Sequence, residues 1–216
     1  MSGTGPEAGA LVVQHLATEV LSSEFSTSGA AVLGPPALSP ALYKALAAEA
    51  LTQSTNASWH LTGERSLGEI AQSNRRGFLG PLARDFMAAH ETTGLLRVVT
   101  GRNLVPSWSA SCYTYYDNSG HFLGEHCDKP EACRVALLVY LDARWDRGEA
   151  PSAGLMLHVF AGDSSNTPLS LRITSLPNRI VILDGAQHAH LRPKLGPRES
   201  LTMLAACYAE VDHAMG

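Results

Sequence analysis

The tripeptide His126-Cys127-Asp128 contains two side chains that could bind one metal ion together. Successive side chains on a β-strand alternate between faces, so His126 and Asp128 would point one way and Cys127 the other. An imidazole and a carboxylate, joined by a histidine from a distant strand, form the 2-His-1-carboxylate facial triad, which leaves open positions on Fe(II). Because an isolated H-x-D motif recurs by chance, it predicts an iron site only if the chain supplies the other parts in order.

The second half of the sequence has the residue composition and spacing that are typical of a β protein. From Leu104 onward, short runs rich in β-branched, aromatic and aliphatic residues alternate with Gly, Pro, Asn and Asp. Eight short strands at such spacing predict a sandwich or barrel, with a double-stranded β-helix or jelly roll as the leading candidate. The predicted strands cover residues 108–116, 122–125, 134–141, 154–160, 169–173, 179–183, 188–191 and 200–208.

The first half predicts helices that would support this β core. Residues 16–25 predict a short helix and residues 29–33 a strand. Ser39 is a good N-cap and Pro40 a good first helical residue, so a helix should run from there to about Thr52. Residues 79–98 carry apolar side chains at helical spacing.

Two interruptions of the predicted helical region bear on the site. We expect the helix over residues 79–98 to break at Thr93-Gly94. Residues 53–75 are polar and irregular, which is typical either of a surface loop with a packed Trp59 or of a lid over a pocket.

Length and composition fit one domain. The chain has 216 residues, of which 45% are hydrophobic and 17% charged. We expect an N-terminal segment over 1–27, the first ten residues of which are disordered, and a single domain over 28–216. Within that domain, helices and a loop over 28–103 would support a β core over 104–212.

Charge and cysteine usage exclude several classes. A net charge of −4 and a pI near 6.1 give no electrostatic reason to expect nucleic-acid binding. The sequence has no run of about 18 apolar residues and no signal-peptide pattern, so we expect neither a membrane span nor secretion. The four cysteines form no C-x-x-C pair. These features favour a cytoplasmic protein with reduced thiols.

In chain order, the segments resemble the iron- and 2-oxoglutarate-dependent dioxygenases of the prolyl-hydroxylase-like branch. The resemblance covers residues 111–208 and depends on several motifs in the correct order rather than on any one of them. It implies a mainly β protein with N-terminal helices, built on a double-stranded β-helix. It also implies Fe(II) as cofactor, 2-oxoglutarate as co-substrate and O2. The matching segments are His126-Cys127-Asp128, Tyr140-Leu141-Asp142, Ala153-Gly154, 179–183, a distal histidine and Arg198-Glu199-Ser200.

The resemblance assigns roles to individual residues. His126 and Asp128 would be two iron ligands. Arg198 matches the basic residue that grips the distal carboxylate of 2-oxoglutarate, a role that suits the planar guanidinium fork. Ser200 could add a hydroxyl to that carboxylate. The matching tyrosines of the same pocket are Tyr140 and Tyr116.

The third iron ligand is ambiguous, because the sequence His188-Ala189-His190-Leu191-Arg192-Pro193 departs from the family's His-x-Val-x-Pro. His190 follows a small apolar residue and comes five residues after Gly185, whereas His188 comes ten residues before Arg198. Both would share one face of a regular strand. We favour His190 and expect the other histidine to line the pocket or to orient a ligand.

The substrate is the least determined part. Candidate substrate-binding residues are Trp59, Arg75, Arg76, Trp108 and Tyr115. The leading hypothesis is an oxygenase that hydroxylates, cyclises or desaturates a small molecule such as a secondary metabolite or an amino-acid derivative. The alternatives are a prolyl or peptidyl hydroxylase and a cupin-like metalloenzyme that does not use 2-oxoglutarate.

Overall fold

The computed structural model describes residues 15–64, 69–117, 120–146, 148 and 150–211. Within them, four α-helices pack on one side of two antiparallel β-sheets. The helices are α1 (His15–Ser28), α2 (Pro40–Ser54), α3 (Pro81–Ala88) and α4 (His90–Thr100). The strands are β1 (Ala30–Leu33), β2 (Ser58–Glu64), β3 (Glu69–Gly77), β4 (Leu104–Pro106), β5 (Cys112–Tyr116), β6 (Leu123–His126), β7 (Val135–Arg144), β8 (Met156–Phe160), β9 (Leu169–Thr174), β10 (Ile180–Leu183), β11 (His190–Arg192) and β12 (Ser200–Glu210).

The two sheets are formed by strands that alternate along the chain. The larger sheet has the order β1-β10-β7-β12-β5-β3-β2, with β4 also paired to β12, and the smaller sheet has the order β6-β11-β8-β9. From β5 to β12 the chain therefore crosses repeatedly from one sheet to the other. This arrangement is the double-stranded β-helix, so the predicted fold class is confirmed, and each of the eight strands predicted after Leu104 is present.

Each face of the larger sheet has its own core. On β12, Leu204 and Tyr208 belong to the cluster packed under the helices, whereas Leu201 and Met203 belong to the cluster between the two sheets. This alternation follows from the period of two along a strand. The helices thus cover the outer face, and the inner face is left to enclose a site.

The helices begin largely where the sequence predicted. Ser39 caps α2, because its Oγ accepts the backbone N–H of Leu42 at 3.3 Å, and Pro40 is the first helical residue. The predicted break at Thr93-Gly94 is wrong: the chain breaks at Ala89, whose backbone is extended (ψ 141°), and Gly94 lies inside α4. No helix in the described part of the chain is long and apolar enough to cross a membrane.

The described residues between 53 and 75, which exclude 65–68, do not form the predicted irregular loop. The end of α2 is followed by a hairpin of β2 and β3, and β3 pairs with β5 at the end of the larger sheet. The sequence concealed these strands because their buried positions include polar residues. Ser73 and Asn74 are fully buried; Ser73 Oγ donates to His60 O at 3.1 Å and Asn74 Nδ2 to Phe122 O at 3.4 Å, whereas Asn74 Oδ1 has no partner among the described residues.

The two predictions for the N-terminal segment have different outcomes. The first ten residues, which were predicted to be disordered, lie outside the described residues. The predicted helix over 16–25 corresponds to α1, whose Leu21 and Phe25 are buried in the outer-face core.

Candidate metal centre and adjoining cavity

Three side chains with metal-binding chemistry meet between the two sheets. His126, Asp128 and His190 each present one ligand atom, and these atoms all lie within 4.8 Å of one another. Nε2 of His126 lies 3.5 Å from Oδ1 of Asp128, and the two imidazole centroids are 4.3 Å apart. The donor set is the two imidazoles and one carboxylate that suit a divalent transition metal such as Fe(II).

Strand pairing brings the two histidines together. His126 is the last residue of β6 and His190 the first of β11, and they are directly opposite partners in the antiparallel register. Opposite side chains in such a pair project from the same face with Cβ atoms about 5 Å apart. A local backbone pairing therefore positions two residues that are distant in sequence.

Hydrogen bonds fix which nitrogen of each ring faces the centre. Nδ1 of His126 lies 2.8 Å from the carbonyl oxygen of Gly124, and Nδ1 of His190 lies 3.1 Å from that of His188. A carbonyl oxygen can only accept, so in both rings Nδ1 carries the hydrogen when the ring is neutral. The lone pair of Nε2 is then free in both rings, as a metal ligand requires.

Burial and mutual contacts shift the pKa of each of the three side chains. Burial lowers the pKa of His190 to about 4, so this ring is neutral near pH 7. Burial also disfavours charge on His126, but the hydrogen bond and charge of Asp128 outweigh it and raise the pKa of His126. Burial by itself would raise the pKa of the Asp128 carboxyl. The interactions with His126 and His190 outweigh burial, so the pKa is lowered.

A glycine makes room for the carboxylate. The backbone N–H of Asp128 donates to the carbonyl oxygen of Gly185 at 2.8 Å, which places the two residues side by side. A Cβ at position 185 would overlap Oδ2 of Asp128 and press on Cε1 of His190. Any larger residue at 185 would have to displace the carboxylate.

His188 does not join the cluster. Its chain segment is a turn, in which the N–H of His188 donates to the carbonyl oxygen of Asp184, and β11 begins only at His190. The His188 ring lies against Gly29, and its Nδ1 is 2.8 Å from Phe160 O. The two histidines therefore do not share a strand face, and His190 is the one that meets His126 and Asp128.

The three residues lie on the wall of a cavity of about 100 Å³ between the sheets. This volume is well below the roughly 300–1,000 Å³ typical of pockets for drug-sized ligands, so the enclosed part suits a small molecule. Two arginines from different strands also line it, Arg76 from β3 and Arg192 from β11. Cys112, Thr114 and Tyr116 form a further part of its wall.

Arg192 is a fully buried cation, with 1% of its surface exposed. Its guanidinium donates to the carbonyl oxygen of Gly154 (3.2 Å), to Ser175 Oγ (2.9 Å) and to Tyr140 Oη (3.3 Å). It forms no ion pair with any carboxylate in the described ranges. A buried charge without a counter-ion is costly, and an anionic ligand would offset that cost.

The prediction that Arg198 lies in this pocket is wrong. Arg198 sits in the turn before β12 with a positive φ of 62°; its side chain is 74% exposed and pairs with Asp146 at 3.0 Å. Ser200 is the first residue of β12, opposite Arg144 at the far end of the pairing with β7, and does not line the cavity. The fully buried cation of the cavity is instead Arg192, on β11.

The two predicted pocket tyrosines do lie beside that cation. Tyr116 lines the cavity, and Tyr140 contacts Arg192 through its hydroxyl. The guanidinium carbon of Arg192 is 5.4 Å from the ring centroid of Tyr116 and 5.8 Å from that of Tyr140. Burial raises the pKa of Tyr116, partly offset by Arg192 and Arg76, so its phenol is neutral.

Of the five predicted substrate residues, only Arg76 lines the cavity. Arg75 and Tyr115 project from the opposite face of the larger sheet, where they line a second, more open cavity of about 500 Å³ beside α2. Trp108 is 40% exposed and lies under Arg84, at 5.6 Å from ring centroid to guanidinium. Trp59, 44% exposed, packs edge-on against His121 and is not among the lining residues.

Arg192 lines the cavity but is not among the residues that the sequence motifs predicted. A signal was available, because Arg192 follows His190 by two positions and the period of a strand places both on one face. The family pattern directed attention to Arg198, which matched in type and spacing but not in position.

Comparisons with known proteins rest on structure alone. No sequence-family model matches the chain, and no curated protein matches it in sequence. Among solved structures, it is similar to the non-heme α-ketoglutarate-dependent epimerase SnoN from nogalamycin biosynthesis, with a TM-score of 0.70 and 12% identity over 90% of this chain and 83% of that one. It is also similar to a Pseudomonas putida prolyl-4-hydroxylase, with a TM-score of 0.61 and 14% identity over 90% of this chain and 100% of that one.

A third similar structure is that of HygX from Streptomyces hygroscopicus with nickel, 2-oxoglutarate and hygromycin B bound. Its TM-score is 0.61, with 13% identity over 91% of this chain and 87% of that one. At such low identity these similarities establish the shared fold.

Proposed function

We propose that the protein is an Fe(II)- and 2-oxoglutarate-dependent oxygenase that acts on a small molecule. The observation that carries the proposal is one cavity lined both by a His-Asp-His cluster and by a buried arginine without a counter-ion. Similar structures include an enzyme named as α-ketoglutarate-dependent and one with nickel and 2-oxoglutarate bound, which supports this choice among proteins of the fold.

His126, Asp128 and His190 would hold the iron. The free Nε2 lone pairs of the two imidazoles and the ionised carboxylate supply the three ligands of a facial triad. The Nδ1 hydrogen bonds to backbone carbonyls hold each ring in that orientation and increase its basicity. Gly185 keeps the space that the Asp128 carboxylate needs.

Arg192 would hold the distal carboxylate of 2-oxoglutarate. Its guanidinium fork binds a carboxylate through parallel charge-assisted hydrogen bonds, and Tyr140 Oη lies beside it as a further partner. Gly154 O and Ser175 Oγ orient the fork from behind, so little conformational entropy is lost on binding. Arg192 replaces Arg198 in this role.

When bound, iron and 2-oxoglutarate, with O2 as the oxidant, would supply the oxidising chemistry that removes hydrogen from a substrate. The residues of this chain contribute the ligand geometry, the anchoring of the co-substrate and the exclusion of water. The apolar lining of Leu123, Leu138, Leu157, Leu183 and Met203 serves the last purpose.

Two alternatives are less well supported. A cupin-like metalloenzyme that does not use 2-oxoglutarate would leave Arg192 buried without any charge partner. A prolyl or peptidyl hydroxylase is compatible with the fold, since one similar structure is a prolyl-4-hydroxylase. A small-molecule substrate is favoured because the similar structures include an enzyme of nogalamycin biosynthesis and one with hygromycin B bound.

The proposal is tested by anaerobic titration of the apoprotein with Fe(II) and then 2-oxoglutarate. We expect a weak visible charge-transfer band that appears only when both are present, because it reports chelation of the 2-oxo acid to iron. Asp128→Ala should abolish the band. Iron binding without a band in the wild-type protein would remove the co-substrate assignment and favour the cupin-like alternative.

A further inference from the structure

The cavity holds more positive charge than the proposed cofactors use. Of the described residues that line it, Asp128 is the one carboxylate, whereas Arg76 and Arg192 are both cations. Fe(II) and a 2-oxoglutarate dianion would cancel each other, and Asp128 offsets one arginine. One positive charge therefore remains when the proposed cofactors are bound, although the chain as a whole has a net charge of −4.

Arg76 is the cation left over. It forms no ion pair with any acid in the described ranges, and its Nε is buried without a hydrogen-bond partner. A buried donor without a partner is destabilising, and a ligand that accepts its hydrogen bond would remove that cost. Arg76 thus lacks a counter-ion as Arg192 does, and it also has a buried donor without a partner.

The two arginines differ in depth. Arg192 is fully buried between the sheets, whereas Arg76 is half-buried on β3 of the β2–β3 hairpin. Arg76 lines the same cavity as His126, Asp128 and His190. A ligand that reaches Arg76 would therefore also reach the metal centre without occupying the place of the deeper arginine.

Its neighbour Arg75 provides an internal contrast. Arg75 pairs with Tyr115 across β3 and β5 and projects to the outer face, whereas Arg76 pairs with Thr114 and projects inward. Nε of Arg75 donates to Asp117 at 2.9 Å, and its Nη1 donates to the carbonyl oxygen of Ser54 at 3.2 Å. One arginine of the pair is thus satisfied within the protein and the other is not.

We propose that Arg76 is a specificity-determining residue that binds a carboxylate of the primary substrate, so the enzyme acts on small carboxylic acids. This inference rests on the proposed function, because it requires 2-oxoglutarate to occupy Arg192. The carboxylate would take the unused hydrogen-bond donors of Arg76 and neutralise the remaining charge of the loaded cavity. The rest of the substrate would then extend along the cavity wall toward the open coordination positions.

The test uses the full-length protein loaded with Zn(II) and 2-oxoglutarate, so that no turnover occurs. The probes are matched pairs of small carboxylic acids and their primary amides, chosen from N-acetylated amino acids and aryl acetic acids, and binding is followed by saturation-transfer NMR. We expect acids to bind about tenfold or more tightly than their amides, a charge-dependent preference. Arg76→Gln should remove this preference, and Arg76→Lys should retain part of it.

Arg75→Gln is the matched control and should bind acids as the wild-type protein does. Equal binding of acids and amides, no binding of any acid, or an acid preference that survives Arg76→Gln would overturn the inference. So would a large loss of 2-oxoglutarate affinity in Arg76→Gln, since Arg76 would then belong to the co-substrate. If the wild-type protein itself fails to bind 2-oxoglutarate, before any probe is added, the proposed function fails instead.

Discussion

The polar side chains on the two faces of the larger sheet differ in whether they have partners within the protein. On the outer face, under the helices, Tyr115 Oη donates to the carbonyl oxygen of Ala50 at 2.6 Å and Tyr208 Oη to that of Met87 at 3.1 Å. Arg75 on the same face is held by Asp117. On the inner face, neither Arg76 nor Arg192, which lies across the cavity on β11 of the smaller sheet, has an acidic partner among the described residues.

The difference separates structural residues from ligand-binding ones. Buried polar groups in a folded protein are nearly always satisfied, so those that are not are candidates for contact with a ligand. The outer-face groups just named are satisfied within the protein and stabilise the fold. The space between the two sheets contains histidine nitrogens suited to a metal ion and cations without a counter-ion, which a metal ion and anions would satisfy.

Substitution of a side chain that is proposed to bind iron should have the largest effect. His190→Ala and Asp128→Ala each delete one of three proposed iron ligands, so iron affinity should fall by more than about 100-fold and 2-oxoglutarate turnover should stop. Equilibrium dialysis against Fe(II) under anaerobic conditions measures the affinity.

His188→Ala is the control for that pair, because His188 contacts Gly29 and Phe160 rather than the cluster. It should retain iron. Loss of iron in His188→Ala with retention in His190→Ala would reverse the ligand assignment.

Removal of the Arg192 cation should weaken the binding of 2-oxoglutarate and leave iron binding unchanged. Arg192→Gln would leave a desolvated carboxylate without its counter-charge, so 2-oxoglutarate should bind about 100-fold more weakly, equivalent to about 3 kcal/mol. Titration of the charge-transfer band measures this affinity, and iron binding should be unchanged. Arg198→Gln, on the exposed turn, should bind 2-oxoglutarate normally; a defect there instead would restore the original assignment of Arg198.

A smaller effect is expected from the glycine that borders the carboxylate. Gly185→Ala places a methyl group against Asp128 and His190, so the carboxylate must shift and iron affinity should fall by about 10–100-fold. Fe(II) dialysis reports it. Gly94→Ala, at a position where a Cβ meets nothing within 4 Å, should leave iron affinity unaffected. Equal behaviour of the two variants would mean that the packing at Gly185 does not position Asp128.

The smallest effect should come from the outer face. Tyr115→Phe removes one satisfied hydrogen bond to Ala50, so the free energy of unfolding should fall by about 1 kcal/mol. Urea denaturation measures this change. The affinities for iron and 2-oxoglutarate should stay as in the wild-type protein. A strong loss of either affinity would show that the two faces are not functionally separate.

The sequence predicted most of the fold because its signals were local. Alternating and continuous apolar runs marked the eight strands after Leu104, and the Ser39-Pro40 pair marked the start of α2. The sequence did not predict β2 and β3, because a polar composition is typical of a loop. In the fold, Ser73 and Asn74 are nevertheless buried, and Ser73 Oγ and Asn74 Nδ2 donate hydrogen bonds to backbone carbonyls.

The candidate site was only partly predictable, because it depends on which face each strand presents. His126 and Asp128 were recognisable from an i, i+2 spacing, and the same spacing relates His190 to Arg192. A choice between His188 and His190 required knowledge of where β11 begins. The assignment of Arg198 failed because spacing along the chain does not specify a turn at positive φ that directs a side chain outward.

The proposed site is tested most directly by a crystal structure of the protein grown anaerobically with Ni(II) and 2-oxoglutarate. We expect a nickel anomalous peak among His126, Asp128 and His190, with the 2-oxo acid on the metal and its distal carboxylate on Arg192 and Tyr140. A metal elsewhere, or a carboxylate bound by Arg198 or Arg76 while Arg192 stays without an anion, would contradict it.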